Sequence, residues 1–229
     1  MRTSEWERST PRDPHSAERE AMVENQIRRR GLKDEQVLRV MATVPRHEFV
    51  PRASQGLAYA DEPLGIGGGQ TISQPYMVAA MTAALRLTGS ERVLEIGAGC
   101  GYQTAVLASL SREVFAVELR SDLAQAAAER LKRLGFENVH VHCGDGSGGM
   151  KEFAPFDAIL VAAAAPSVPS PLLDQLGDGG RLIVPVGSED QQQLLLITRH
   201  NGEFSRERRE YCRFVPLVGR HGWKLEEFL

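Results

Sequence analysis

The run Val93-Leu94-Glu95-Ile96-Gly97-Ala98-Gly99-Cys100-Gly101-Tyr102 decides the fold of this 229-residue chain. Its first four residues are apolar apart from one acid, which predicts a short buried β-strand. The alternating glycines that follow let the backbone turn tightly and approach a ligand closely. Residues 102–110 continue as a predicted helix, whose first N–H groups and positive dipole end face that ligand. Together these features predict a nucleotide-type binding site, and with it an enzyme.

The spacing of the glycines indicates which ligand is bound. Dinucleotide-binding units need G-x-G-x-x-G, whereas here the third glycine comes one position early, at Gly101, and Tyr102 stands in the expected place. A nicotinamide dinucleotide is therefore disfavoured. A G-x-G-x-G turn after a strand that carries an acid resembles the S-adenosylmethionine site of class I methyltransferases, and the resemblance places Glu95, Gly97 and Gly99 at the cofactor. The competing interpretation is a tight turn that binds nothing.

Two further acids follow predicted strands. Glu118 ends the next apolar run, 21 positions after Gly97, where a carboxylate can accept hydrogen bonds from both ribose hydroxyls. A third strand over residues 139–142 leads into Asp145 and Gly146, where the Asp145 carboxylate can accept a hydrogen bond from an adenine amino group. Each acid alone could be an ordinary charged residue or a turn residue. Three such strand ends in succession are harder to explain as turns.

Composition argues against several classes of partner. The 27 basic and 30 acidic residues give a net charge of −3, so nothing favours binding to nucleic acid. Cys100, Cys143 and Cys212 show no C-x-x-C spacing, which indicates neither a disulfide framework nor a zinc site. His140 and His142 share one face of a predicted strand but have no matching third ligand. We therefore predict no metal.

Hydropathy indicates no membrane segment. Residues 1–15 are polar and lack the apolar core of a secretory signal. The longest apolar stretch, residues 158–165, is far shorter than the roughly 20 residues of a membrane span. We expect a cytoplasmic protein that is a monomer and does not bind membranes.

We predict one domain over residues 16–229, preceded by a disordered extension of residues 1–15. Ser16 is predicted to cap a helix that ends at Arg30. A second helix is predicted over residues 34–43, where it stops before a proline.

Residues 51–75 are rich in turn-forming residues, with four glycines between positions 65 and 69. A helix predicted over residues 76–87 follows without a break for a second domain. We therefore interpret the stretch as a binding loop docked on the core, and not as a linker. With the helices before it, it forms a predicted substrate-binding portion over about residues 16–75.

The remainder alternates between strands and helices. Further strands are predicted at residues 158–161 and 181–184, and further helices at residues 123–134 and 171–176. This alternation predicts an α/β fold of the doubly wound, Rossmann-like kind, with a mostly parallel sheet and helices on both faces. Asn201-Gly202, between residues 193–199 and a run from 203 onward, is typical of a type I′ turn. An antiparallel C-terminal hairpin should therefore complete the sheet.

Several stretches resemble protein-L-isoaspartate O-methyltransferases, and the resemblance spans about residues 22–223. The most specific is Gly69-Gln70-Thr71-Ile72-Ser73-Gln74-Pro75. The others are Val44-Pro45-Arg46-His47-Glu48-Phe49-Val50-Pro51, Phe156 to Pro166, Asp174 to Leu182, and Arg213-Phe214-Val215-Pro216-Leu217.

The resemblance implies a protein repair reaction. A methyl group would pass from S-adenosylmethionine to the free α-carboxyl of L-isoaspartyl residues in damaged proteins and peptides. The ester then closes to a succinimide, which hydrolyses partly to normal aspartate. Two alternatives remain: a class I methyltransferase for another acceptor, such as a small carboxylate or RNA, and a non-catalytic S-adenosylmethionine-binding module.

The resemblance also implies roles for individual residues. Ser73 would be the catalytic residue, although a serine there could instead cap the next helix. Val215 and Leu217 could instead be core residues of an edge strand. The implied cofactor-binding residues are Gln70, Thr71, Ile72, Glu95, Gly97, Gly99, Gly101, Glu118, Asp145 and Gly146. The implied substrate-binding residues are Gln74, Pro75, Tyr76, Val215, Leu217 and Val218.

Overall fold

A computed structural model describes residues 14–224 of the protein. Nine strands form within this part of the chain. They are β1 (Leu64–Gly67), β2 (Gln70–Ile72), β3 (Arg92–Ile96), β4 (Glu113–Glu118), β5 (Val139–Cys143), β6 (Phe156–Val161), β7 (Leu176–Gly187), β8 (Gln192–His200) and β9 (Glu203–Cys212).

Six α-helices accompany these strands in the described residues. They are α1 (Ser16–Met22), α2 (Glu35–Thr43), α3 (Pro75–Ala84), α4 (Tyr102–Ala108), α5 (Ser121–Arg133) and α6 (Ser170–Asp174). None of the helices between positions 14 and 224 has the length and apolarity needed to cross a bilayer.

Seven strands form one sheet in the order β5-β4-β3-β6-β7-β8-β9. The pairs β5-β4, β4-β3, β3-β6 and β6-β7 are parallel, and β7-β8 and β8-β9 are antiparallel. The strand order reverses beside β3, because β4 lies on one side of it and β6 on the other. In open α/β sheets a ligand binds at such a switch point, at the carboxyl ends of the strands. The glycine turn after β3 lies there.

The core has two apolar clusters, one on each face of the sheet. Val93 belongs to the first and its neighbour Leu94 to the second, as alternation along a strand requires. Apolar residues of α2, α3, α4 and α5 pack into the first cluster, and those of α6 into the second. The predicted α/β fold with helices on both faces is confirmed.

The helical N-terminal segment is confirmed, but its predicted cap is wrong. The segment is helical from Ser16 to Arg30, with a π-helical turn in its middle, and ends at Gly31. The N-cap position is His15, and no side chain caps this end. The imidazole of His15 stacks on that of His47, with ring centroids 4.1 Å apart. The described chain therefore includes Pro14 and His15 of the predicted extension, and residues 1–13 lie outside the described residues.

The second helix begins as predicted. The Asp34 carboxylate accepts hydrogen bonds from the N–H groups of Gln36 and Val37 at 3.0 and 3.1 Å, so Asp34 is the N-cap of α2.

Other predicted boundaries shift. Helix α3 ends at Ala84 instead of residue 87, and α4 ends at Ala108 instead of residue 110. The helix predicted over residues 171–176 is wrong at its end, because Leu176 starts β7 and pairs with Phe156 of β6. Burial of Leu176 in the sheet overrides the helix-stop signal of the glycine that follows.

The C-terminal hairpin is confirmed. His200 of β8 pairs with Glu203 of β9, and the two residues between them, Asn201 and Gly202, have φ of 51° and 81°. Positive φ at both central positions defines the type I′ turn that Asn-Gly favours.

Candidate active site

The glycine-rich loop before α3 folds back onto the glycine turn. It forms the small hairpin β1-β2, with Leu64 and Ile72 buried in the first apolar cluster. A Cβ on Gly99 would lie 3.3 Å from Cδ1 of Ile66, so the hairpin rests directly against the turn. The stretch is docked on the core, and its hairpin form was not predicted.

One cavity brings the predicted catalytic serine to the glycine turn. Its volume is about 40 Å³. The residues that line it are Thr71, Ile72, Ser73, Val78, Met81, Gly97, Ala98, Gly99, Cys100, Tyr102, Gln103, Ala162 and Phe214. Since about 10–15 Å³ of such volume holds one water molecule, this space suits a small reacting group and not a whole nucleoside cofactor.

The glycine turn requires glycine at three positions. Gly97, Gly99 and Gly101 have φ of 88°, 54° and 89°, in the left-handed region that other residues rarely adopt. The N–H groups of Gly97 and Ala98 donate to the Val117 carbonyl at 2.8 and 3.1 Å. The turn is thus fixed to the end of β4 and leaves its inner face to the cavity.

Glu118 joins the turn to the next strand. Its side chain is 6% exposed, and one carboxylate oxygen accepts from the N–H of Gly99 at 2.8 Å. The other oxygen accepts from the N–H of Arg120 at 3.0 Å. Each carboxylate oxygen has a second lone pair, so both ribose hydroxyls can still be bound.

Glu95 is buried without a partner. It is 0% exposed, and neither of its oxygens has a hydrogen-bond partner among residues 14–224. Burial raises the pKa of Glu95 to about 8; the nearby Thr104 hydroxyl offsets part of the rise, and the charge of Glu118 adds to it. The carboxyl is therefore mostly neutral at pH 7. An orphaned buried polar group in a native fold calls for a partner, which a polar cofactor can supply.

Asp145 lies further along the sheet and is not part of the cavity wall. Its oxygens accept from the N–H groups of Ser147 at 2.9 Å and Arg220 at 2.8 Å. Burial favours a higher pKa for Asp145, but these hydrogen bonds outweigh it and hold the pKa below its usual value. The next residue, Gly146, needs its missing side chain, since a Cβ would lie 2.7 Å from Cγ2 of Ile96.

Ser73 does not cap α3. The N-cap residue is Gln74, and no side chain caps the helix, so the capping alternative is wrong. Within the described part of the chain the Ser73 hydroxyl makes no hydrogen bond, and it lies at the wall of the cavity. It is therefore available to a ligand.

The predicted substrate-binding residues fall into two groups. Gln74, Pro75 and Tyr76 follow Ser73 but do not line the cavity. Gln74 and Tyr76 are half-buried, and the Tyr76 hydroxyl donates to Glu210 at 3.4 Å, whereas Pro75, the first residue of α3, is buried. After β9, Leu217 is 5% exposed and belongs to the second apolar cluster, and Val215 packs against that cluster. Their side chains thus fit the core interpretation.

The last of these residues, Val218, is half-buried and forms a bridge with Trp223. Together with Arg220, which holds Asp145, it belongs to a C-terminal segment that runs along the predicted adenine side of the site.

Sequence reasoning missed Arg46. Its side chain is 0% exposed, and it donates to the carbonyls of Ala58 at 2.7 Å and Ser73 at 2.8 Å. The signal was present, because Arg46 stands among apolar residues that are buried, Val44 and Phe49. A charged residue inside a buried stretch deserves a functional interpretation.

No group of three or more His, Cys, Asp or Glu side chains between residues 14 and 224 could hold a metal ion. His140 is exposed and its ring lies 2.9 Å from a Glu113 oxygen. Cys100, Cys143 and Cys212 are free thiols.

A parallel sheet that reverses at β3, a G-x-G-x-G turn after it and acids at the ends of β4 and β5 define a class I methyltransferase. Comparisons with known proteins place it more closely. The sequence model of the family described as "Protein-L-isoaspartate(D-aspartate) O-methyltransferase (PCMT)" matches residues 17–222. The chain belongs to this protein-L-isoaspartate O-methyltransferase family.

Curated relatives and solved structures agree. Protein-L-isoaspartate O-methyltransferase 2 of Geotalea uraniireducens is 53% identical over 210 residues, 91% of this chain and 97% of the relative. The Roseiflexus castenholzii enzyme is 52% identical over 211 residues, 92% and 96% of the two chains. A Plasmodium falciparum PCMT structure in complex with S-adenosyl-L-homocysteine superposes with a TM-score of 0.76 at 30% identity, over 87% of this chain and 98% of that one.

A further solved protein-L-isoaspartate O-methyltransferase has a TM-score of 0.81 at 31% identity, over 89% of this chain and 67% of its own.

Proposed function

We propose that this chain is an active protein repair enzyme that methylates the free α-carboxyl of L-isoaspartyl residues in damaged proteins and peptides. One observation carries the proposal beyond family membership. The Ser73 hydroxyl, which neither caps a helix nor bonds elsewhere in the described residues, lies on the same small cavity as the glycine turn. A substrate group held by Ser73 would therefore meet a cofactor held by the turn.

Bound S-adenosylmethionine supplies an electrophilic methyl group on a sulfonium sulfur. The residues that would hold it are Glu95, Glu118, Asp145 and the glycines of the turn, joined by residues 70–72 of the hairpin. They fit this cofactor in three ways: the turn lines a cavity, Glu118 keeps free lone pairs, and Glu95 lacks a partner.

The acceptor needs no general base. A carboxylic acid with a pKa near 4 is already ionised at neutral pH. Its oxygen would therefore accept the methyl group directly, with no proton for the protein to remove. The protein contributes by alignment and by exclusion of water around the carboxylate.

Ser73 orients the acceptor. Its hydroxyl donates one hydrogen bond to the substrate carboxylate, worth about 1.5–3 kcal/mol for a charged acceptor.

The test is a labelling experiment with matched peptides. The purified protein is incubated with methyl-labelled S-adenosylmethionine and a peptide that contains L-isoaspartate, L-aspartate or D-aspartate at one position. Labelling of the L-isoaspartyl peptide alone, or with weaker labelling of the D-aspartyl one, supports the proposal. Equal labelling of the two L-peptides contradicts it, and cofactor binding without labelling indicates the non-catalytic module.

We also propose that the enzyme acts as a monomer in the cytoplasm, with protein substrates and without nucleic-acid or membrane partners. Its net charge of −3 supports the absence of a polyanionic partner. Size-exclusion chromatography with light scattering tests the oligomeric state, and a dimer mass at micromolar concentration would contradict it.

A further inference from the structure

Arg46 carries a buried charge beside the site. It lies in the 3₁₀ turn Arg46–Phe49 that follows α2, and its side chain is 0% exposed. Nε donates to the Ala58 carbonyl and Nη2 to the Ser73 carbonyl, while Nη1 is buried without a hydrogen-bond partner. The guanidinium carbon is 4.8 Å from the centre of the Tyr102 ring.

This cation lacks a counter-ion. No carboxylate of residues 14–224 forms an ion pair with Arg46, although a buried charge is normally paired, since its desolvation is costly. Burial lowers the pKa of Arg46, but a guanidinium stays charged at neutral pH even inside a protein. Two carbonyl oxygens and a ring face balance only part of this charge.

The charge lies directly behind the cavity. Ser73 and Tyr102, two of the residues that Arg46 contacts, both line the space between the hairpin and the glycine turn. The guanidinium is thus in direct contact with two residues of the cavity wall. In such a buried region a charge acts over several ångströms with little screening.

We propose that Arg46 is the positioning residue of the acceptor site: it holds Ser73 by its carbonyl and supplies the fixed positive charge that selects a carboxylate over a neutral group. This inference rests on the proposed function, because it assigns the acceptor its charge partner. Arg46 does not touch the reacting atoms. It sets the site's preference for an anion.

The proposed role predicts a particular kinetic split. The substrate carboxylate carries its full charge before methyl transfer and loses it as the ester forms. A positive charge behind the site therefore stabilises bound substrate at least as much as the transition state, so its removal should raise KM more than it lowers kcat. The smaller loss of kcat comes from the lost hydrogen bond to the Ser73 carbonyl. Removal of the Ser73 hydroxyl, which aligns the attacking oxygen, should instead lower kcat.

The decisive experiment compares two peptides by equilibrium binding in the presence of S-adenosylhomocysteine. One contains L-isoaspartate, and the other is identical except that the α-carboxyl is an α-carboxamide. In the wild-type enzyme the carboxylate peptide should bind at least about tenfold more tightly. In Arg46→Gln the ratio of the two Kd values should fall to near one, and KM for the isoaspartyl peptide should rise roughly 10- to 100-fold.

Two variants separate charge from structure. Arg46→Lys keeps the charge, so the Kd ratio should remain within about threefold of wild type even if both peptides bind more weakly. Arg19→Gln is the matched control, because Arg19 is also buried, at 6% exposure, and donates to the Ala42 carbonyl at 2.6 Å. It should lower the melting temperature and leave the ratio unchanged.

Three results would overturn the inference. The first is a Kd ratio near one in the wild-type enzyme, which needs no variant and so holds even if Arg46→Gln does not fold. The second is an unchanged ratio in folded Arg46→Gln, and the third is a collapsed ratio in Arg46→Lys or Arg19→Gln. In each case methylation of the isoaspartyl peptide by the wild-type enzyme still decides the proposed function separately.

Discussion

Three acids, Glu95, Glu118 and Asp145, lie on neighbouring strands or just after them, yet their surroundings give them different properties. Backbone N–H groups hold the carboxylates of Glu118 and Asp145. Glu95 is buried and accepts no hydrogen bond from a backbone N–H group of the described residues, and burial raises its pKa to about 8. Residue type alone therefore did not determine the chemistry; the donors around each carboxyl did.

The raised pKa of Glu95 predicts how stability depends on pH. Between its ordinary value of 4.5 and about 8 the folded protein binds a proton that the unfolded chain has released, so the free energy of unfolding falls as pH rises. Glu95→Gln removes this dependence. The free energy of unfolding of Glu95→Gln minus that of wild type should increase by up to about 1.4 kcal/mol per pH unit from pH 5 to 8 and then stay constant.

Thermal unfolding of the cofactor-free proteins from pH 5 to 9 measures this difference. Glu152→Gln, at an exposed position, is the control and should track wild type. A constant difference between Glu95→Gln and wild type across the range would show that Glu95 titrates normally.

Ser73→Ala should separate turnover from stability. Because Ser73 neither caps α3 nor forms another side-chain hydrogen bond in the described chain, the change in unfolding free energy should stay within about 0.5 kcal/mol. Turnover at saturating peptide should fall roughly 10- to 100-fold, because the attacking oxygen loses the hydrogen bond that aligns it. S-adenosylhomocysteine affinity should not change. Ser205→Ala, on exposed β9, controls for a lost hydroxyl, and full turnover in Ser73→Ala would remove Ser73 from the mechanism.

Among the elements, the glycine turn is the most constrained. Gly101→Ala should destabilise the protein by about 2–4 kcal/mol, since it adds left-handed strain and places a Cβ 3.1 Å from Cδ1 of Leu131. Gly135, after α5, has φ of 81°, and a Cβ added there would have no atom within 4 Å. Gly135→Ala therefore adds backbone strain without a steric contact and should lower the free energy of unfolding by about 1–2 kcal/mol. Urea unfolding of both variants measures the difference. Equal costs would mean that Leu131 moves aside freely.

Elements with local signals were predictable from sequence. The Asp34 cap, the Asn201-Gly202 turn and the strands around the glycine turn all depend on residues within a few positions of one another. Leu176 joined a strand instead of a helix because it pairs with a distant strand.

Contacts between distant parts of the chain were not predictable in this way. The hydrogen bond from Arg46 to Ser73 joins residues 27 positions apart, and that from Arg220 to Asp145 joins residues 75 apart. Such contacts depend on how elements pack, which no local pattern specifies. The sequence thus indicated most of the site's residues and not the bonds that connect them.

For the whole molecule, cofactor binding should raise stability. A ligand at 100 times its Kd adds about 2.7 kcal/mol, which for a chain of this size shifts the melting temperature by roughly 5–10 °C. S-adenosylhomocysteine should produce this shift in scanning calorimetry. Glu118→Ala should reduce it, because the variant loses a carboxylate that also braces Gly99. A shift unaffected by Glu118→Ala would place the ligand elsewhere.

Strand β9 leaves one edge of the sheet open, and its charges have a consequence for an enzyme that handles damaged chains. An unpaired edge strand can form backbone hydrogen bonds with an exposed segment of another chain, which is a route to aggregation. Strand β9 carries six charged side chains: Glu203, Arg206, Glu207, Arg208, Arg209 and Glu210. Strand addition would have to desolvate these charges, so we expect the charged edge to disfavour co-aggregation with damaged substrate proteins.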